Sequence, residues 1–473
     1  MDPRTRTLLE GPIAPTLLRL AAPNVLTLAA QTAAGLIETY FIGKLGTDAL
    51  AGVALVFPVV MLMQMMSGGA MGGGIASSIA RALGGGRRAD ADALAVHALV
   101  IALVFGLAFT LGVLGGGRWL YAAMGGSGPA LSAALLYSGC IFAGAVLVWL
   151  FNSLAAVIRG TGNMVLPAVV TCVGVVFLIP LSAALIFGWG PFPALGIAGG
   201  ALAFLCYYGI GAAALAAYLW SGKGVLRPAL GGAGFRWPLF HEILRVGLVA
   251  ALVTVATNVT IIIGTTLVGE FGPAAIAGYG TAVRLEYLLV PLVFGLGSPL
   301  VTMVGTAIGA GRRARALRTA WIGAGIAVVL TEAIGICAAA FPNAWLSLFD
   351  TNPAMLEAGA RYLRIVGPFY GMFGLALSLY FASQGAGRLV WPVIGNLTRL
   401  GIAALGGWLA LRWSGQLSYV FLAQSLALVA FGVINAGAVA SGAWFGPVRW
   451  PWSAATALQR RSAATERTKR NLV

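Results

Sequence analysis

Twelve apolar runs constrain this chain more than anything else in it. They lie near residues 17–41, 49–77, 93–114, 131–157, 164–188, 195–220, 241–268, 274–307, 316–340, 355–383, 389–411 and 417–445. Each is long enough to cross a hydrocarbon layer of about 30 Å, which takes roughly 20 helical residues. Backbone groups in lipid must be satisfied within the segment, so each run is expected to be an α-helix. A chain that is 60% hydrophobic and 9% charged, with mean hydropathy +0.93, is excluded from the ordinary soluble class. The expectation is an all-α integral membrane protein of twelve transmembrane helices.

The net charge of +16 could suggest a nucleic-acid partner, but the basic residues are scattered through short loops. With the N-terminus inside, 15 basic residues fall on the inner loops and leader and six lie between Arg449 and Arg470, so 21 of 29 are inside and five outside. That asymmetry predicts both termini cytoplasmic, in an inner membrane of bacterial type, with no nucleic-acid partner. The start, MDPRTRTLLEGPIAP, lacks a compact signal-peptide pattern, so the first helix is expected to be an uncleaved insertion signal. Cys140, Cys172, Cys206 and Cys337 sit inside apolar runs without metal-ligand spacing and read as small buried hydrophobes.

The chain repeats itself. FIGKLGTDALAGV (41–53) aligns with LVGEFGPAAIAGY (267–279), GGGRRADA (84–91) with GAGRRARA (309–316), and RGTGNMVLP (159–167) with SQGAGRLVWP (383–392). The shift stays near 225 throughout. Six helices per copy give both copies the same polarity, which predicts two six-helix lobes related by a pseudo-two-fold axis along the membrane normal. The expected division is an N-terminal lobe over 1–220, a linker over 221–239, a C-terminal lobe over 240–445 and a basic tail over 446–473.

Buried ionisable groups are few. Glu38 is the outermost of three polar residues, Asn24, Gln31 and Glu38, spaced seven apart on the first helix, a spacing that drifts only about 20° per repeat. A carboxylate in the hydrocarbon layer costs on the order of 2.5–3.5 kcal/mol, so Glu38 must face protein or water and reads as a proton or ion site. Tyr137, Asn152 and Ser182 are the other candidates for an N-lobe cavity. In the second copy Glu38 falls on Gly264, so the lobes differ chemically. The C-lobe carries its own polar group, Arg284, Glu286, Glu332 and Arg399, readable as an inter-helix salt bridge or as a second functional site. Arg284 and Glu286 project about 200° apart, so Arg399 is the expected partner of Glu286. Pro23 is expected to bend the first helix. His97 and His241 read as structural. No Walker loop is present, which argues against an ATP motor, and no acid, base and nucleophile cluster suggests an enzyme.

Together, GLIETYFIGKLGTDALAGVALVFP, RGTGNMVLP and GYGTAVRLEYLLVPLVFGLGSPLVTMVGTAIGAG resemble the multidrug and toxic compound extrusion (MATE) family over nearly the whole chain. The resemblance implies two six-helix lobes that alternate between outward- and inward-open states. It places Glu38 where bacterial members commonly carry a coupling Asp. The Arg284–Glu286 pattern resembles the DinF-like branch more than the NorM branch, while Leu178 and Ser182, and Thr257 and Asn258, stand where polar or acidic residues are usual. The implied function is proton-driven export of amphipathic, cationic organic compounds by a monomer in contact with membrane lipid. Sodium coupling and a flippase for lipid-linked or polysaccharide intermediates are the alternatives. No cofactor, metal or enzymatic activity is expected.

Overall fold

A computed structural model describes residues 2–229, 235–349 and 351–445. A short helix α1 (Pro3–Glu10) precedes the first span, α2 (Ile13–Gly43), which runs unbroken through Pro23. The second span is α3 (Thr47–Gln64), a π-helical turn (Met65–Met71) and α4 (Gly72–Gly84). Then come α5 (Arg88–Ala123), α6 (Gly128–Ala143) with α7 (Ala145–Gly160), α8 (Val165–Phe187) and α9 (Ile197–Trp220). The second half has α10 (Trp237–Gly269), α11 (Pro273–Gly309), α12 (Arg313–Ala340) and the one-turn α13 (Pro342–Leu346). It closes with α14 (Pro353–Val366) and α15 (Tyr370–Ala386), α16 (Val390–Gly401) and α17 (Gly407–Trp413), and α18 (Leu417–Ala440). Among the described residues, eleven helical stretches are long and apolar enough to cross a membrane, and the bent pair α6–α7 makes twelve. The molecule is all-helical with two lobes of six spans each.

Four spans are interrupted, which the apolar runs do not predict. Between α6 and α7 the axis bends by 48° at Gly144, where a Cβ would come within 2.4 Å of Leu205. Between α14 and α15 lies a 3₁₀ turn, Gly367–Phe369, containing Pro368, which has no N–H to give. The second and eleventh spans each carry a π-helical turn, at Met65–Met71 and Ile402–Gly406. Such turns leave carbonyls without their regular partners and cluster at functional positions.

Each lobe has its own apolar core, and a further cluster joins them: Ala70 and Ala76 from one lobe with Val246, Val301 and Phe381 from the other. The lobes meet at the end that carries α1. A Cβ on Gly84 would lie 2.1 Å from the Thr306 carbonyl oxygen, and one on Gly309 would lie 2.0 Å from that of Arg81. Gly84 and Gly309 are repeat equivalents, as are Arg81 and Thr306. The second and eighth spans therefore cross by a pseudo-two-fold contact that only glycine admits. Toward the other end, α3 packs on α6 of its own lobe, with Gly52 against Ala133 and Ala134.

Two segments sit differently from the expected division. α1 and the first half of α2 lean on the C-terminal lobe: Leu8, Leu17 and Ala21 share a core with Val293, Leu296 and Leu300. Arg312 donates to the Leu9 carbonyl and Arg315 to those of Leu8 and Gly11, placing cations at the C-terminal end of α1. The linker ends at Arg236 rather than 239, because Arg236 N donates to His97 Nε2 and α10 starts at the next residue. Residues 230–234 and the basic tail over 446–473 lie outside the described residues. All four cysteines are free.

Candidate functional site

Glu38 lies on the part of α2 that packs against α8, so its carboxyl points into the N-terminal lobe. Ser182 on α8, Tyr137 on α6 and Tyr208 on α9 surround it. Oε1 is buried without a hydrogen-bond partner, and so is Ser182 Oγ, although the two face each other. Among the described residues no Arg, Lys or His pairs with Glu38. An acid ringed by neutral hydroxyls, with unspent bonding capacity and no counter-charge, is equipped to gain and lose a proton.

The candidate N-lobe residues divide. Tyr137 and Ser182 belong to the Glu38 site. Gln31, two turns away on α2, faces Tyr207, as does Thr171. Asn24 lies 14 residues, or about 21 Å, from Glu38 along the helix, and bonds back to the Leu20 carbonyl at 3.4 Å. It is in the half of α2 held by the other lobe, so the heptad stripe does not converge on one cavity. Asn152 donates to Ser67 Oγ at 2.8 Å and so ties α7 to the π-helical turn rather than to Glu38. Tyr207 and Tyr208 are not among the sequence candidates; only the placement of α9 brings them to Gln31 and Glu38.

The C-lobe group also divides. Glu286 on α11 accepts a hydrogen bond from the Tyr362 hydroxyl on α14. Across a cavity of about 30 Å³, room for about two waters, lies Arg399, with Thr260, Tyr279 and Gln424 completing the walls. Arg399 is 7% exposed and sits over the rings of Phe373 and Phe431, at 5.6 and 5.8 Å. It shares the cavity with Glu286 without closing an ion pair. Arg284 points away, exposed, over Phe349 at 5.5 Å. Glu332 accepts from Gly371 N at 2.6 Å, capping the broken tenth span. Two of the four residues form a site and two support the backbone or the surface.

At the α1 end the lobes are latched by charge. Arg81 on α4 pairs with Glu242 on α10 at 3.1 Å and donates to the Gly385 carbonyl at 3.0 Å. Arg245 donates to the Gly387 carbonyl at 2.9 Å within the C-lobe, and Thr302 donates across to the Arg159 carbonyl at 3.0 Å. Arg81 reads from sequence as one more loop charge; only the packed lobes give it a partner.

A sequence model of the MatE family matches residues 23–184 and 250–409, once in each repeat. A Shewanella oneidensis protein described as an FAD transporter is 29% identical over 85% of this chain and 90% of its own length. A Deinococcus radiodurans protein, described as probable multidrug resistance protein NorM, is 31% identical over 82% and 86%. Among solved structures, a transporter of the MOP superfamily from Pyrococcus furiosus superposes with a TM-score of 0.85 at 21% identity, covering 93% of this chain and 99% of the other. An outward-facing multidrug resistance MATE transporter gives 0.85 at 22%, over 94% and 99%. At those identities the structural likeness speaks for the fold alone.

Proposed function

This chain belongs to the MatE family and is a multi-pass membrane transporter rather than an enzyme; on that premise we propose that it exports amphipathic organic compounds in exchange for protons bound at Glu38. The observation that carries the reading is the Glu38 carboxyl itself, enclosed by Ser182, Tyr137 and Tyr208 with Oε1 unpartnered. Its helix is gripped by both lobes, by α8 near Glu38 and by α11 near Val25, where a Cβ on Gly295 would come within 2.6 Å of that valine. A change in charge at Glu38 alters how α2 packs, and α2 connects the element that binds the proton to the surface where the lobes meet. Protonation then biases one lobe arrangement by its differential free energy in the two states. One charge crossing 100 mV supplies about 2.3 kcal/mol, enough for a moderate bias per proton.

Protons are favoured over sodium because the site supplies one carboxylate and neutral hydroxyls, not a set of converging anionic oxygens. The relatives are described by multidrug resistance and by FAD transport, and FAD is itself a bulky amphipathic aromatic compound. The chain is read as a monomer in a bacterial inner membrane with both termini cytoplasmic, so the latched end faces the cytoplasm. The test is proton flux in proteoliposomes under separately imposed pH and sodium gradients, stimulated by a panel of dyes. Glu38→Gln should abolish dye-stimulated proton flux while leaving dye binding intact; transport equal to the unmodified protein refutes the assignment.

A further inference from the structure

We propose that the pocket between the lobes around Arg159 and Gln384 binds the anionic group of an aromatic cargo. The exported compounds would then be aromatic phosphates, sulfonates or carboxylates; the inference rests on the export reading above and names its substrate class. The pocket takes Arg159 and the glycines of the π-helical region from one lobe and Phe294, Ser298, Phe381 and Gln384 from the other. Along the second span, Gly72 is 12 residues, or about 18 Å, from the Gly84 crossing, and the pocket lies within the closed lobe interface, beside the apolar cluster that joins the lobes.

Arg159 stands apart from the other enclosed arginines. Arg81 has Glu242, and Arg399 shares a cavity with Glu286. The Arg159 guanidinium, half-buried at the lobe interface, has neither an acid nor a hydrogen-bond acceptor among the described residues. Its backbone is fixed by Thr302, so the position is ordered while five N–H donors are unspent. Gln384 is fully buried; its Nε2 is committed to the carbonyls of Gly69 and Ala70, and its Oε1 has no partner. A planar guanidinium matches carboxylate, sulfonate or phosphate oxygens in a bidentate way. Gln384 Oε1 adds an acceptor for a hydroxyl or ring N–H of the same ligand.

The rest of the pocket is lined by aromatic rings and glycine backbone. Phe294 and Phe381 meet edge to face at 5.3 Å and form an apolar wall beside Arg159. Gly69 and Gly73 present backbone only, Gly69 packed on Phe294 and Gly73 on Gln384, where a Cβ would come within 2.2 Å of the amide. With the lobes latched the space is about 20 Å³, one water, so the cargo enters as they part and is expelled as they close. Charge selection at Arg159 is thereby separated from proton exchange at Glu38.

The experiment is a binding titration of the purified full chain in detergent, without any gradient, using riboflavin 5′-phosphate and riboflavin, which share one ring and differ in the phosphate. The unmodified protein should bind the phosphate form about 10- to 100-fold more tightly. Arg159→Gln should erase that preference and Arg159→Lys should retain part of it. If Arg159→Gln does not fold, Gln384→Glu serves instead, since a carboxylate added to the same pocket repels an anionic group and should lower the preference. Equal affinity for the two flavins, or a preference that survives these changes, overturns the proposal. A phosphate preference that persists in Glu38→Gln while proton flux is lost separates the two readings.

Discussion

Glu242→Gln tests whether the α1 end is held shut by charge. Arg81 Nε and Nη2 both reach Glu242 Oε1, at 3.3 and 3.1 Å, and the two side chains are only 12% and 26% exposed, so solvent screens the pair weakly. Glutamine keeps the shape and one neutral hydrogen bond but loses the charge assistance, which is worth about 1–2 kcal/mol for a partly buried contact. The latch exists only when the lobes meet, so the whole loss falls on the latched state and shifts the latched-to-parted ratio by roughly 5- to 30-fold. Spin labels at Ala89→Cys and Ala314→Cys, exposed repeat-equivalent positions just beyond the two crossing glycines, would report the separation once the four native cysteines are replaced. Double electron–electron resonance should show a longer-distance population growing in Glu242→Gln and growing further in Arg81→Ala, which also loses the bond to the Gly385 carbonyl. Identical distance distributions in all three proteins would mean that apolar packing alone seals this end, and the electrostatic argument would be wrong.

Gly309→Ala places a methyl 2.0 Å from a backbone carbonyl that cannot swing aside, so the same label pair should report parted lobes, at a cost of about 1–3 kcal/mol or more to the latched state. Tyr362→Phe strips Glu286 of its donor and should lower stability by about 1–3 kcal/mol in denaturant titrations, whereas Arg284→Ala, on the exposed side of the same helix, should change it little. Arg315→Ala frees the carbonyls of Leu8 and Gly11, and limited proteolysis should then cut near residues 2–12 faster than in the unmodified protein. The Glu10 carboxyl is held below its ordinary range, first by Arg6 and also by Arg312. Acidification should therefore leave the Arg312–Glu10 contact intact until the pH falls through that lowered value, and protease protection of α1 should follow the same course.

The twelve runs, the repeat and the isolation of Glu38 are written in the sequence because each depends on a single helix and its solvent. A backbone in lipid has one low-energy solution, and a lone carboxylate in an apolar run is conspicuous whatever surrounds it. What Glu38 faces could be read only in part, since Tyr137 and Ser182 are sequence candidates alongside Asn24, Gln31 and Asn152, which lie elsewhere. Its neighbours Ser182, Tyr137 and Tyr208 come from three other helices, and their convergence depends on interhelical angles set by packing. The same applies to Arg81 and Arg159, two similar loop arginines in sequence that become a latch and, among the described residues, an unpaired charge between lobes. A heptad stripe predicted that Asn24 and Glu38 act together, and it failed because two lobes grip different ends of one helix. Periodicity fixes the direction a side chain takes from its helix axis; only the packed assembly determines what lies in that direction.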